Sequence, residues 1–185
     1  MTLLYIQLPE KLMSKIVILG IGNLLFRDEG FGIHVIRQLQ DLFEFPENVS
    51  IIDGGVLGMN LLGVMSEAEH LVVIDVIRNK GKPGDLYRLS GEQIPSRIRA
   101  KNSLHQVDFL EALTLCEAID GIPETVILGA EPEDIDTLEM ELTPTLSEKV
   151  DKVISMVLDE MDRLGVSYRK RSGACALRFH PESWR

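Results

Sequence analysis

Three side chains that could bind a metal or transfer a proton fall at positions where an enzyme site is expected. Glu29 lies in the turn between the first strongly apolar segment and the helix predicted after it, Asp75 interrupts a later apolar segment, and His105 begins another predicted helix. Two carboxylates and an imidazole form a mixed oxygen and nitrogen donor set that suits nickel, zinc, manganese or iron. The three are far apart in the sequence, so their spacing alone does not show that they converge.

Each of these residues also has a purely structural interpretation. Asp75 has aliphatic neighbours on both sides, and a desolvated carboxylate there needs a partner such as loop amide hydrogens. Glu29 is an acidic residue in a first helical turn, where it favours the helix dipole. A single histidine near a helix start, such as His105, is usually incidental.

Composition favours one ordinary globular domain. The chain has 185 residues, of which 45% are hydrophobic and 26% charged, and a chain of this length buries roughly 70% of its unfolded surface. Its net charge of −10 argues against nucleic acid or an anionic membrane as a partner.

Cys116 and Cys175 form no metal motif, and we expect free thiols in a reducing cytoplasm. No apolar segment reaches the ~20 residues of a membrane span, and residues 1–13 do not resemble a signal peptide.

Apolar segments of two kinds alternate along the chain and predict an α/β fold. Short β-branched segments bounded by glycine predict buried strands, and apolar residues at helical spacing predict helices between them. This alternation indicates a three-layer sandwich, in which a mostly parallel sheet carries helices on both faces. We predict strands over residues 15–22, 49–53, 71–77, 85–89 and 124–130, and helices over about 29–43, 57–65, 105–118 and 145–164.

We assign residues 14–165 to a single α/β domain, residues 1–13 to an N-terminal extension and residues 166–185 to a loose C-terminal tail. Thr145 and Glu148 are predicted to form a capping box at the start of the last helix. Sites in such folds form at the carboxyl ends of the strands, which is where Glu29 and Asp75 are expected.

The turn at residues 20–22 also suggests a dinucleotide site, but only weakly. The third glycine of that fingerprint would fall at Leu25, and the glycine pair after Asp53 suggests a different kind of loop. Walker-type phosphate loops and serine nucleophile elbows are absent from the sequence. Cys116 has no evident activating partner, which argues against a cysteine protease.

Several motifs, in matching order, resemble those of the hydrogenase maturation proteases. In that family the first strand ends in Gly-x-Gly-Asn and an Asp-Glu pair opens the next helix, as in residues 20–32. The resemblance covers about residues 15–165. It rests on the segments 20–32, 53–59, 73–75, 104–106, 129–132 and 142–146.

The resemblance implies a twisted, mixed five-stranded sheet and an aspartyl-type maturation peptidase. It implies that Glu29, Asp75 and His105 are the catalytic residues and contact a nickel ion already installed in the substrate. That substrate is the large-subunit precursor of a nickel–iron hydrogenase, from which the protease removes a C-terminal extension. We expect a cytoplasmic protein that acts as a monomer.

Four further residues are candidates for supporting roles. Asp28 and Asp53 are the nearest candidates to assist the metal-contacting residues or to accept a proton. The amides of Gly54 and Gly55 could bind the substrate chain, because glycine permits close backbone approach, although a simple tight turn explains them equally well. The missing serine or cysteine nucleophile favours attack by water. The nickel would then polarise the scissile carbonyl, lower the pKa of a bound water, or only hold the peptide in register.

Other functions remain open at the level of the sequence. A nickel-dependent checkpoint or chaperone that inspects the large subunit without cutting it would use the same three ligands. A nucleotide-binding α/β protein would reuse the same cleft, and a germination-type protease is a more distant relative.

Overall fold

The computed structural model describes residues 14–55, 63, 67–91, 93–94 and 123–172. In these residues, strands and helices alternate along most of the chain. The strands are β1 (Ile16–Ile21), β2 (Phe43–Glu44), β3 (Val49–Gly55), β4 (His70–Val76), β5 (Leu86–Ser90), β6 (Glu124–Ala130) and β7 (Arg169–Lys170). The helices are α1 (Phe31–Leu42), α2 (Pro144–Ser147) and α3 (Val150–Arg163).

Five of the strands form one sheet in the order β3-β1-β4-β6-β5. The first four are parallel, and β5 pairs antiparallel with β6 at the edge. The predicted mixed five-stranded α/β sheet is therefore confirmed. Every residue of β1 is buried, as a strand in the middle of a covered parallel sheet requires. This explains why its sequence is continuously apolar rather than alternating.

Two apolar clusters cover the two faces of the sheet. Successive side chains of a strand point to opposite faces, so Ile18 and Ile74 contribute to one cluster, whereas Leu19 and Val73 contribute to the other. Helices α1 and α3 pack into the first cluster through one apolar stripe each. The stripe of α1 is the set Phe31, Val35, Ile36 and Leu39, and that of α3 is Val150, Val153, Ile154, Val157 and Met161.

Helix α1 begins directly over the carboxyl ends of β1 and β4. A Cβ atom added to Gly32 would lie 2.3 Å from both the Ile21 and the Ile74 carbonyl oxygens. Only glycine allows the backbones to approach this closely. The first turn of α1 is therefore held at the edge of the sheet where sites form in parallel α/β folds.

The predicted strands agree with the observed ones to within one or two residues at each end. The helix predicted over residues 29–43 is a turn of 3-10 helix, Arg27–Gly30, followed by α1. The helices predicted over 57–65 and 105–118 lie outside the described residues, apart from Gly63. None of the helices within the described ranges is long and apolar enough to cross a lipid bilayer.

The predicted capping box of Thr145 and Glu148 is wrong. Thr143 caps α2 instead, because its side-chain oxygen accepts the Leu146 N–H at 3.3 Å. Pro144 occupies the first helical position, where its missing N–H costs nothing. The chain then turns, and α3 starts separately at Val150.

The expectation of a loose tail is wrong for residues 166–172. Strand β7 pairs antiparallel with β2, and the Arg171 N–H donates to the Leu42 carbonyl at 2.8 Å. The Tyr168 ring lies 5.8 Å from the rings of both Phe43 and Phe45. These aromatic contacts join residues distant in sequence, so no local pattern reveals them.

A buried carboxylate connects α3 to the edge strand β5. Glu160 is 5% exposed and accepts two hydrogen bonds from the Arg88 guanidinium, at 2.7 and 3.1 Å. Arg163 donates a third, at 2.6 Å, but its side chain is 57% exposed. The bidentate contact from Arg88 is therefore expected to contribute more than the solvated contact from Arg163.

We predict that Arg88→Met lowers the free energy of unfolding by about 2 kcal/mol, because it removes two charge-assisted hydrogen bonds from a buried carboxylate. Arg163→Met should cost less than about 1 kcal/mol, since exposed pairs contribute little. Urea denaturation of both variants measures the difference. Equal losses of unfolding free energy in the two variants would contradict the larger contribution expected of Arg88.

Candidate active site

Glu29 lies in the single turn of 3-10 helix between β1 and α1. Its carbonyl accepts the Asn23 N–H at 3.1 Å. A Cβ atom on Gly22 would lie 1.9 Å from that carbonyl oxygen, and Gly22 has a φ of 143°, so glycine is required on both counts. The tight loop between Gly22 and Glu29 therefore places Glu29 beside the carboxyl end of β1. The Glu29 residue is half-buried.

Asp75 lies near the carboxyl end of β4 and is 9% exposed. One carboxylate oxygen accepts the Val76 N–H at 2.7 Å, which fits the structural interpretation of this residue. A carboxylate has about four acceptor sites, so this contact is also compatible with binding a cation. Strand alternation puts the Asp75 side chain on the same face of the sheet as Leu71 and Val73.

The structure brings Glu29 and Asp75 to one edge of the sheet. Glu29 lies in the turn after β1 and Asp75 lies on β4. These strands are hydrogen-bonded neighbours, with Gly20 paired to Ile74, and neighbouring strands lie about 4.8 Å apart. The third predicted member, His105, lies outside the described residues. The described part of the chain, taken without it, contains no group of three His, Cys, Asp or Glu residues that could hold a metal ion.

Asp53, Gly54 and Gly55 form the carboxyl end of β3, at the same edge. The Asp53 carboxylate accepts the Gly55 N–H at 3.1 Å and a hydrogen bond from Arg37 at 3.4 Å. Gly55 has a φ of 44°, and its carbonyl accepts the Gly22 N–H at 3.2 Å. The end of β3 is thus hydrogen-bonded to the loop that carries Glu29, and the Asp53 side chain remains about half exposed at 47%.

Asp28 is fully buried and connects two loops. Its carboxylate accepts four hydrogen bonds from residues more than 100 positions later in the chain. The backbone N–H groups of Glu133 and Asp134 both donate to Oδ2 at 2.9 Å. Thr143 donates its N–H to Oδ1 at 2.8 Å and its hydroxyl to Oδ2 at 3.1 Å. Since both oxygens are engaged, Asp28 is a positioning residue for the neighbouring Glu29 and for the acidic loop, residues 131–143.

Backbone contacts strengthen this connection. Arg27 donates its N–H to the Glu139 carbonyl at 2.6 Å, and Glu139 donates its own N–H to the Leu25 carbonyl at 3.1 Å. The Arg27 guanidinium lies 3.3 Å from the Asp134 carboxylate and 3.4 Å from that of Glu139. Arg27 adopts a φ of 32°, which is unfavourable for a residue other than glycine. The strained turn is therefore held by its contacts with the acidic loop.

The sequence analysis did not identify Glu131, which makes several contacts at this edge of the sheet. Glu131, 7% exposed, follows β6 directly, and its carboxylate accepts the N–H groups of Asn79 and Gly81 and the hydroxyl of Tyr87. Burial, with the hydrogen bond to Glu131, raises the pKa of Tyr87 to about 12. The rule that singled out Asp75, a polar residue at a strand's carboxyl end, also applies to Glu131.

His34, one turn further along α1, contacts the acidic loop as well. Its Nε2 lies 3.2 Å from the Met140 carbonyl oxygen. Burial lowers the pKa of His34, and the contact with the Met140 carbonyl opposes that effect only in part. The imidazole is therefore neutral near pH 7 and does not offset the negative charge of the loop.

The fold and this edge define a class of protein: an α/β domain with a mixed five-stranded sheet and two acidic side chains at its carboxyl edge. The sequence matches the family model described as hydrogenase maturation protease over residues 33–160, which is more than half of the chain. The chain belongs to the hydrogenase maturation proteases, and is therefore a hydrolase that acts on peptide bonds.

Individual relatives support the same family. The chain is 35% identical to the hydrogenase expression/formation protein HupD of Thiocapsa roseopersicina, over 85% of this chain and 72% of that one. It is 32% identical to the hydrogenase 2 maturation protease of Escherichia coli, over 82% and 93%. The solved structure of the hydrogenase maturating endopeptidase HybD from E. coli superposes with a TM-score of 0.82 at 31% identity, covering 86% of this chain and 99% of that one.

Asp28→Asn should lower the free energy of unfolding by about 3 kcal/mol, because an amide NH₂ group would face N–H donors and the buried site would lose its charge. Chemical denaturation measures the loss, and hydrogen exchange of the Glu133 and Thr143 amides should show that it is concentrated in the acidic loop. Asp136→Asn, at an exposed position of that loop, is the control and should cost less than about 0.5 kcal/mol. Similar losses in both variants would show that Asp28 does not hold the loop.

Asp134 makes the loop sensitive to acid. Hydrogen bonds from Thr137 and Asp136, with a contribution from Arg27, lower the pKa of the Asp134 carboxyl to about 2. A folded-state pKa below the unfolded value means that the ionised carboxylate stabilises the fold above the unfolded pKa of about 4. That contribution is lost as the pH falls towards 2.

Between pH 4 and pH 2, we therefore expect the free energy of unfolding of Asp134→Asn to fall less than that of the wild type. Denaturation across that range, with an NMR titration of the Asp134 carboxyl carbon, tests this. A titration midpoint near 4 would contradict it.

Proposed function

We propose that this protease removes the C-terminal extension from the nickel-loaded large-subunit precursor of a nickel–iron hydrogenase. The observation that carries the proposal is family membership combined with two acidic side chains, Glu29 and Asp75, at the carboxyl edge of neighbouring strands. A relative of similar length is named as the maturation protease of hydrogenase 2. We place the reaction in the cytoplasm and expect a monomeric enzyme.

We assign contact with the substrate's nickel to Glu29, Asp75 and His105. Carboxylate oxygen and imidazole nitrogen suit this ion, and three protein ligands would leave further positions for the substrate's own ligands. Glu29 is half-buried and Asp75 is buried. Water screens charges less at such positions, so each carboxylate would attract a cation more strongly there than at the exposed surface. The ion, as part of the substrate, would identify precursors that are ready to be cut.

We assign peptide-bond cleavage to attack by water. The oxygen of water bonds to the scissile carbonyl carbon, the carbon–nitrogen bond breaks, and the departing amine gains a proton. Asp28 is not assigned as the base, because its oxygens accept four hydrogen bonds from the acidic loop. Asp53 is half exposed at the same edge, so we assign it and the Gly54 amide to contact with the substrate chain near the cut. The Gly55 N–H already donates to the Asp53 carboxylate, so we assign Gly55 to orienting that side chain.

Cleavage of purified precursor, followed by intact mass spectrometry, tests the proposal. Wild-type protein should remove one C-terminal peptide from nickel-loaded precursor and leave nickel-free precursor intact. Glu29→Gln, Asp75→Asn and His105→Gln should each reduce the cleavage rate at least about 100-fold, since even residues that only support a metal ligand contribute 10- to 100-fold. Glu47→Gln, exposed at the opposite edge of the sheet, should cut like wild type.

Thermal unfolding of each variant separates loss of function from loss of fold. Nickel-dependent binding of the cognate precursor without cleavage by the wild type would favour the checkpoint function. Equal cleavage of nickel-loaded and nickel-free precursor would contradict the proposal that the enzyme recognises the substrate's nickel. Full activity of the Glu29 and Asp75 variants would contradict their assignment.

A further inference from the structure

Exposed large apolar side chains are concentrated beside the proposed site. In the described residues only four are substantially exposed, and three of them come from two loops that contact each other. They are Leu25 at 56%, Leu138 at 74% and Met140 at 60%. Single exposed apolar residues are common, but a group of them on one surface indicates an interaction site. We call these three residues the apolar shelf.

The shelf is held rigidly. Phe26 forms a parallel β-bridge with Glu139, the residue between Leu138 and Met140, and the Glu139 N–H donates to the Leu25 carbonyl. The buried carboxylate of Asp28 fixes the base of the same loop. Exposed side chains on a backbone with this many tertiary hydrogen bonds lose little further freedom on binding, which favours affinity.

The loop of the shelf carries several exposed carboxylates, which we call the charged rim. Glu133, Asp136 and Glu141 are exposed, and the ion pairs found in the described residues do not include them. Among the described residues, Arg27 forms ion pairs with this loop, and it already contacts Asp134 and Glu139. Apolar side chains within a carboxylate rim fit a partner of the same shape with opposite charge.

A second copy of this chain does not meet that requirement. A two-fold contact through the shelf would bring the same surface of both copies together, so carboxylates would face carboxylates. The net charge of −10 adds a general repulsion between copies. The complementary partner is cationic.

We propose that the apolar shelf docks a segment of the precursor in which large apolar side chains are flanked by Lys or Arg. The inference rests on the proposed function, because it takes the precursor as the partner. Leu25 lies in the same loop as Glu29, and the acidic loop is hydrogen-bonded to that loop at Leu25, Arg27 and Asp28. The docked segment therefore lies next to the cleavage site without being the scissile bond. The shelf contacts the substrate equally in the ground state and the transition state, so its loss raises KM and leaves kcat unchanged.

Steady-state cleavage of nickel-loaded precursor tests this with two multiple variants. Leu138→Ser/Met140→Ser removes the apolar contacts, and Glu133→Gln/Asp136→Asn/Glu141→Gln removes the charged rim. Each should raise KM about tenfold with kcat unchanged, and the rim variant should lose most of the salt dependence of KM.

Matched variants control for general effects of composition. Leu86→Ser changes the remaining exposed leucine, on the edge strand β5. Asp41→Asn/Glu47→Gln/Glu69→Gln removes three exposed carboxylates at the opposite edge of the sheet. Both controls change residues outside the shelf and its carboxylates, so KM should stay within about twofold of wild type.

The outcomes separate this inference from the proposed function. If wild type fails to cut the precursor, the proposed function fails. If wild type cuts and the shelf variants have unchanged KM, or lose kcat instead, the docking inference is overturned while the function stands. Concentration-dependent dimerisation abolished by Leu138→Ser/Met140→Ser in sedimentation experiments would also overturn it, in favour of a second copy.

Discussion

Burial of the Asp28 carboxylate constrains the whole edge of the sheet at which the site lies. A fully buried charge is costly unless several donors surround it, and here the donors are backbone and side-chain groups of a single loop. The loop after β1 and the loop after β6 therefore adopt their conformations together. Glu29 is the next residue after Asp28, so the same interaction sets the position of a proposed ligand and of the acidic loop.

Close backbone packing is the second constraint on this edge. Gly22, Gly32 and Gly129 each lie where an added Cβ atom would be 1.9–2.3 Å from a carbonyl oxygen. These contacts bring the turn with Glu29, the first turn of α1 and the end of β6 against the ends of their neighbouring strands. A site built from short side chains on separate strands requires such proximity, because a carboxylate reaches only a few ångströms from its own backbone.

The acidic loop combines two roles that are usually separate. Its inner side satisfies Asp28 and contacts His34 on α1, whereas its outer side presents Leu138, Met140 and three carboxylates. A loop with few internal apolar contacts would ordinarily be mobile. Here the hydrogen bonds to the turn at Arg27 and Asp28 replace those contacts, so a surface suited to recognition is held beside the residues proposed to bind nickel.

The sequence by itself determined the five strands of the main sheet and the α/β class, because buried parallel strands must be continuously apolar. The motifs that recur in order indicated the family and, through it, the mixed sheet. It also singled out two candidates: Asp75, since a charged residue within such a strand is rare, and Glu29, in the turn that leads into the next helix. Only the tertiary structure decided that both Asp28 oxygens accept hydrogen bonds from the acidic loop. It also decided that Thr143 rather than Thr145 caps α2, and that residues 169–170 pair with β2. Each of these depends on partners more than 100 residues away or on competition between neighbouring caps, and local pattern carries no information about donors brought together by folding.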